Sequence, residues 1–319
     1  MSEVALWIAV FVGSLAVLIK SSNYFTISAE KVGLRFGLSP FIIGVTIVAF
    51  GTSMPEIITS VIAVLKDSSE IVIGNVVGSN IANIFLVFGL TTIVTKKMTL
   101  IHDTMKTDLL FLVGSALLLV ATIWDGTFSW IEGLVCLAGI AGYLFYAAMT
   151  KEKHENPDLE KEIEKKADTE EPLWRVWAAL VASAFGIYIG ANYTIESIIR
   201  LSALLNIGKE VIAVSAVAFG TSLPELVVSV SAARQGKLEI AAGNILGSNV
   251  FNALVVMGIP SLLGILIIPR GIIVFSLPMM LLATGLYTYM IYDKRIATWE
   301  GWVLVALYVF FIGKSFNFF

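Results

Sequence analysis

Gly51-Thr52-Ser53-Met54-Pro55-Glu56 returns as Gly220-Thr221-Ser222-Leu223-Pro224-Glu225, displaced by 169 residues. The same displacement relates Asn23-Tyr24 to Asn192-Tyr193 and Gly74-Asn75 to Gly243-Asn244. It also carries Gly78-Ser79-Asn80 with Asn83 onto Gly247-Ser248-Asn249 with Asn252. An offset held constant over about 60 residues marks a duplicated unit without insertions in that region.

The surrounding composition places this unit in lipid. Of 319 residues 57% are hydrophobic and 14% charged, far from the roughly one-quarter charged composition of soluble domains. A helix needs about 20 apolar residues to cross the hydrocarbon layer. Ten such runs are expected: 4–20 (continuing, amphipathic, to about 36), 40–65, 71–94, 107–124, 128–149, 173–200, 209–233, 239–268, 271–291 and 298–316. The first follows Met-Ser-Glu with no basic n-region or cleavage site, so it reads as a retained span.

Equivalent positions of the two units are separated by five spans, an odd number, so the halves cross in opposite senses. The expected fold is an all-α membrane protein of ten transmembrane helices in two inverted five-helix repeats, 1–150 and 173–319, joined by a charged linker, 151–172. Inverted repeats place a binding site near the midplane, where each half contributes a broken helix. Cytoplasmic loops carry the excess of Lys and Arg. With the N-terminus outside, the loops after the odd-numbered spans hold 15 of the 21 basic residues, including Lys31, Arg35, Arg234 and Lys237. Both termini are then expected outside and 151–172 in the cytoplasm, as a solvated linker.

Several classes fall away. The single cysteine, Cys136, lies in an apolar span and reads as a packing residue, which excludes a disulfide framework or thiolate cluster. Net charge is −3 with no basic surface pattern, so no nucleic-acid partner is expected. No zinc-protease or serine-nucleophile motif occurs, and His102 and His154 fall in loops, so the chain is not expected to be an enzyme and needs no cofactor.

The repeated motif carries the chemistry. A carboxylate inside a span costs ~3 kcal/mol on insertion scales and marks a functional site by default. Glu56 shares a helix face with Thr52 and Ser53, as Glu225 does with Thr221 and Ser222. Ser79 with Asn83, and Ser248 with Asn252, place a hydroxyl and an amide four residues apart on the neighbouring spans. Pro55 and Pro224 each delete a helical N–H, freeing backbone oxygens near 49–52 and 218–221. Such backbone is tolerated at this depth only where it lines a polar cavity or is buried in protein. The donor set is oxygen throughout, without His or Cys, which suits Ca2+ and Na+ rather than transition metals. The bland alternative, that hydroxyls and glycines only pack helices, fits a single serine but not paired glutamates at repeat-equivalent positions. Asn23 and Asn192 are read as helix breaks. Lys20 either snorkels or faces a vestibule.

At these residues the chain resembles the calcium/cation antiporter superfamily, in particular its Na+/Ca2+ exchanger branch in compact prokaryotic form. The two G-T-S-x-P-E and two G-S-N-x-x-N segments look like that family's paired repeats. The resemblance implies a plasma-membrane antiporter, sufficient as a monomer, exchanging Ca2+ for Na+ by alternating access. Glu56 and Glu225, with the carbonyls of Thr52 and Thr221, would hold Ca2+. Na+ would use the same glutamates with Ser53, Ser79, Ser222, Ser248 and the carbonyls of Ala49 and Ala218. The family's variable position is neutral here in both halves, as Asn83 and Asn252, which counts against K+ co-transport. A proton-coupled or K+-dependent antiporter and a passive cation channel remain the alternatives.

Protonating either glutamate removes charge that attracts Ca2+. Ca2+ flux is therefore expected to fall as the medium is acidified at fixed cation gradients, and a flux that rises in acid would contradict a carboxylate site.

Overall fold

The structure, a computed structural model, describes residues 3–65, 67, 69–95, 97–99, 105–149, 172–204, 222–293 and 295–315. The expected linker at 151–171, His102, His154, Ala218 and Thr221 lie outside these residues.

Helix α1 (Glu3–Arg35) ends at Gly37, whose φ of 73° lets Leu38 N–H close back on the Gly33 carbonyl at 3.0 Å. Ser39 then caps α2 (Pro40–Thr52) through Ile42 N–H at 3.3 Å, with Pro40 in the first turn. At Ser53 (φ −84°, ψ 2°) the chain bends by 41° into α3 (Met54–Leu65). The break falls where expected, because Pro55 has no N–H to offer Gly51. Helices α4 (Glu70–Thr95), α5 (Met105–Thr122) and α6 (Trp130–Met149) complete the first half. In the second half α7 (Leu173–Leu204), α8 (Leu223–Arg234), α9 (Leu238–Ser261), α10 (Ile272–Asp293) and α11 (Thr298–Ser315) follow. Ser222 before α8 repeats the Ser53 conformation, at φ −90° and ψ 5°.

The offset of 169 that relates the motifs also relates the architecture. Among the described residues four short strands make this visible: β1 (Lys97–Thr99), β2 (Thr127–Phe128), β3 (Leu266–Ile267) and β4 (Arg295–Ala297). They pair crosswise between halves, β1 with β4 and β2 with β3, both antiparallel. Met98 faces Ile296 and Phe128 faces Leu266. Adding or subtracting the offset turns the register of one ladder into that of the other, as a twofold relation between the halves requires.

By length and apolarity six described helices can cross a membrane, α1, α4, α6, α7, α9 and α10, and seven if the bent pair α2–α3 is one span. Ten were expected. Helix α5 is a shorter apolar helix, α11 carries Glu300 and Lys314 near its ends, and of the expected span 209–233 only 222–233 is described.

Helices α4 and α9 form the centre. The most apolar stretch of α9 is wholly buried and that of α4 is 78% buried, against 11% for α1. Helix α1 packs along α7, where Thr194 Oγ1 donates to Ser14 Oγ at 3.0 Å, and along α8. Asn23 does not break α1, which continues through it; nor does Asn192 break α7. Instead Asn23 Oδ1 accepts hydrogen bonds from Ser231 Oγ and, at 3.3 Å, Gln235 Nε2. A pair between Lys237 Nζ and Glu30 Oε2 at 2.8 Å closes the same seam. Lys20 is exposed on α1. Cys136 is fully buried, a packing residue as expected.

Helix α9 lies against α2 at backbone contact: a Cβ on Gly243 would meet the Phe41 carbonyl, and one on Gly247 the Val45 carbonyl. Gly243→Val is therefore expected to force the two helices apart at a cost of about 1–3 kcal/mol. Thermal unfolding of the purified protein should show a lower midpoint, whereas an unchanged midpoint would mean the helices are not in contact there.

Candidate functional site

The break between α2 and α3 turns a short polar segment toward α4, α8 and α9. Thr52, Ser53 and Glu56 are buried there, as are Ser79 and Asn83 of α4. From the other half come Ser222, Glu225, Ser248 and Asn252, all buried. Ten of the twelve residues expected at the site thus fall within the described chain: these nine and Ala49; Ala218 and Thr221 do not.

The halves meet through these side chains. Ser53 Oγ donates to Glu225 Oε1 at 3.3 Å, and Thr52 Oγ1 lies 3.4 Å from Ser248 Oγ. Glu56 and Glu225 are close enough for their charges to repel. Among the described residues neither carboxylate oxygen of Glu56 has a hydrogen-bond partner, and neither has Oε2 of Glu225. The amide atoms of Asn83 and Asn252 are buried and unpaired in the same sense. Buried polar atoms without partners are costly, and here they are two acids and two amides from repeat-equivalent positions. A divalent cation, or monovalent cations, would supply the missing partners, and the oxygen-only donor set fits Ca2+ and Na+. No cluster of three or more His, Cys, Asp or Glu occurs among the described residues; the acids that the described part of the site holds are Glu56 and Glu225.

Local backbone presents these groups. Wide i→i+5 turns at Ala82–Phe88 and Asn252–Val256 begin at or beside Asn83 and Asn252. Such turns shift side chains around the helix axis and recur at functional sites. The Ala49 carbonyl, expected as a Na+ ligand, already accepts from Ser53 N–H at 3.0 Å and Thr52 Oγ1 at 3.3 Å.

Sequence reading overlooked Ser60 and Ser229. Each stands four residues after its glutamate and accepts from an asparagine: Asn75 Nδ2 to Ser60 Oγ at 3.1 Å, Asn244 Nδ2 to Ser229 Oγ at 2.8 Å. The offset of 169 relates both residues of each pair and could have found them. It also overlooked Asp108, a buried acid that accepts from Tyr143 Oη at 2.9 Å. No repeat signal marks Asp108, whose counterpart is Leu277.

Comparison with known proteins identifies the family. The sodium/calcium exchanger protein family matches the chain twice, over residues 6–149 and 175–316. The chain belongs to the sodium/calcium exchanger family. The chain is 36% identical to the sodium/calcium exchanger MaX1 of Methanosarcina acetivorans, over 93% of this chain and 95% of that one. It is 29% identical to the inner membrane protein YrbG of Escherichia coli, over 80% and 79%. Among solved structures, the sodium-calcium exchanger NCX_Mj soaked with zero Na+ and Ca2+ superposes with a TM-score of 0.83 at 29% identity, covering 98% of this chain and 100% of that one. As a member of this family the chain is an integral membrane transporter, an antiporter, rather than an enzyme.

Replacing Glu56 or Glu225 by Gln removes one buried charge at nearly constant volume. Without divalent cation each variant is expected to be at least as heat-stable as the natural protein. Added Ca2+ should raise the unfolding midpoint of the natural protein only, since a ligand stabilises the state that binds it. Equal stabilisation of all three would remove the glutamates from the site.

Proposed function

We propose that this exchanger moves Ca2+ against Na+ by alternating access through one central site shared by two inverted five-helix repeats. The observation that carries it is the pair of repeat-equivalent glutamates, Glu56 and Glu225, buried together with three carboxylate oxygens unpaired among the described residues. Ca2+ is held between those carboxylates with the carbonyls of Thr52 and Thr221. Na+ takes the carboxylates with the hydroxyls of Ser53, Ser79, Ser222 and Ser248 and with the carbonyls of Ala49 and Ala218, while Asn83 and Asn252 line the centre. For Ala49 this means giving up at least one of its two hydrogen bonds.

Antiport follows from electrostatics. Two unneutralised carboxylates are expensive to carry through the bilayer interior, so the site changes sides only when loaded. If net charge moves with the ions, each elementary charge contributes ~2.3 kcal/mol per 100 mV of membrane potential, and a negative interior drives Ca2+ outward. The moving element in this proposal is the pair α1–α7. It packs on itself and stands at the periphery of the bundle. A cavity of about 940 Å3, walled by Trp177, Phe185 and Tyr188 of α7 and by Phe50, Gly51 and Pro55 at the break, separates that pair from part of the core. The ten-span count, with both termini outside, 151–172 in the cytoplasm of a prokaryotic cell and a monomer as the working unit, belongs to the same proposal.

Radiolabelled Ca2+ uptake into proteoliposomes preloaded with Na+, with K+, or under a proton gradient tests it. Uptake driven by internal Na+ alone, and abolished in Glu56→Ala and Glu225→Ala, is the expected result. Uptake driven by protons, requiring K+, or needing no counter-gradient would transfer the chain to a proton-coupled antiporter, a K+-dependent exchanger or a channel respectively.

A further inference from the structure

Asn244 is fully buried on α9 and uses both ends of its amide. Nδ2 donates to Ser229 Oγ on α8 at 2.8 Å, and Oδ1 receives Thr52 Oγ1, from the other half, at 3.2 Å. Thr52 Oγ1 has one proton and three acceptors about it, Asn244 Oδ1, the Ala49 carbonyl at 3.3 Å and the Glu225 carboxylate. A carbonyl oxygen carries no proton, so the amide contact attracts when the Thr52 proton lies along it. The Thr52 oxygen is then an acceptor, and the donor within reach is Ser248 Oγ at 3.4 Å. With the Thr52 proton on Asn244, the hydrogen bonds run in one direction, from Ser248 to Thr52 to Asn244 to Ser229. With its proton spent on Thr52, Ser248 has lone pairs free for a cation.

The other half repeats the anchor. Asn75 Nδ2 donates to Ser60 Oγ at 3.1 Å and to the Glu56 carbonyl at 3.4 Å, while its Oδ1 accepts from Ser79 Oγ at 3.5 Å. Ser79 and Ser248 are repeat equivalents. In both halves the serine hydroxyl thus points its proton toward an asparagine, through Thr52 in one and directly in the other.

We propose that Asn244, and Asn75 as its counterpart, are positioning residues for Na+. By fixing the direction of these hydrogen bonds they make Ser248 and Ser79 present oxygen lone pairs, not protons, to the ion. The inference rests on the assignment of those hydroxyls to Na+. Ca2+, held chiefly by the glutamates, depends on hydroxyl direction much less. A hydroxyl turned the wrong way sets its positive end against the cation, and a monovalent ion held by neutral oxygens has little other attraction to offset that.

The test uses the full chain in proteoliposomes, comparing Asn244→Leu, close in volume and without polar atoms, with the natural protein. Two constants are read: the internal Na+ concentration giving half-maximal Ca2+ uptake, and the KM for Ca2+ in Ca2+/Ca2+ exchange without Na+. The expected result is a rise of about tenfold in the Na+ constant, the scale of one lost hydrogen bond, with the Ca2+ constant changed less than about threefold. Ser229→Ala, which removes only the anchor holding the amide's direction, should give a smaller rise in the Na+ constant alone. If Asn244→Leu shows no Ca2+/Ca2+ exchange because it does not fold, Ser229→Ala decides. Na+ and Ca2+ constants that move together, or a Na+ constant that does not move, would overturn the role of Asn244. Failure of the sodium assignment itself is distinguishable, because the natural protein would then take up Ca2+ without regard to internal Na+.

Discussion

Two carboxylates held beside each other in the centre of a membrane bundle are a standing electrostatic problem, and the rest of the molecule is arranged around it. Glu225 lies within a hydrogen bond of the opposite half, through Ser53, and bringing Ser53 there requires a helix that stops and restarts at depth. Pro55 follows the break at Ser53 for that reason, and Pro224 stands in the first turn of the helix that begins after Ser222. Broken helices expose backbone, so they must be buried in protein, and the wholly buried α9 with the largely buried α4 provide that burial. Close approach of α9 to α2 in turn requires glycine at 243 and 247. In the function proposed above, cation binding would relieve the repulsion that created the constraint and so tie loading of the site to movement across the membrane.

Much of this was legible in the residues. The offset of 169 defined the repeat, and the paired G-T-S-x-P-E segments located both glutamates, the break at Pro55 and the hydroxyls around it. Local chemistry suffices there, because a proline or a buried acid has the same consequence in any helix. What escaped depends on partners far apart in the chain. Asn23 looked like a helix breaker, but its partners Ser231 and Gln235 are 208 and 212 residues away. Asp108 and Tyr143 meet only after α5 and α6 pack. The supporting pairs Asn75–Ser60 and Asn244–Ser229 span 15 residues across two helices, beyond the three- and four-residue spacings that reveal a shared helix face. The number of spans was less legible, since a helix such as Met105–Thr122 packs in the bundle without the length a solitary span would need.

The halves share a plan but not every contact. Asn23 binds α8 through Ser231 and Gln235, and Glu30 pairs with Lys237. The offset maps Ser231, Gln235, Glu30 and Lys237 onto Ile62, Lys66, Ile199 and Ser68, which cannot form the same ion pair. Among the described residues α1 packs along α8, whereas α7 has no comparable packing along α3. In the mechanism proposed above, an inverted repeat would work by letting its two halves adopt different conformations about one site. Unequal polar seams between otherwise equivalent helices would then bias which conformation rests lower in energy.

The central claim is that one buried pair of glutamates serves both ions in turn, and equilibrium Ca2+ binding to the purified protein at a series of Na+ concentrations tests it most directly. The account predicts a single Ca2+ site per chain whose apparent Kd rises as Na+ is added and which vanishes in Glu56→Gln and in Glu225→Gln. Ca2+ binding that is indifferent to Na+, or that survives loss of either carboxylate, would contradict it.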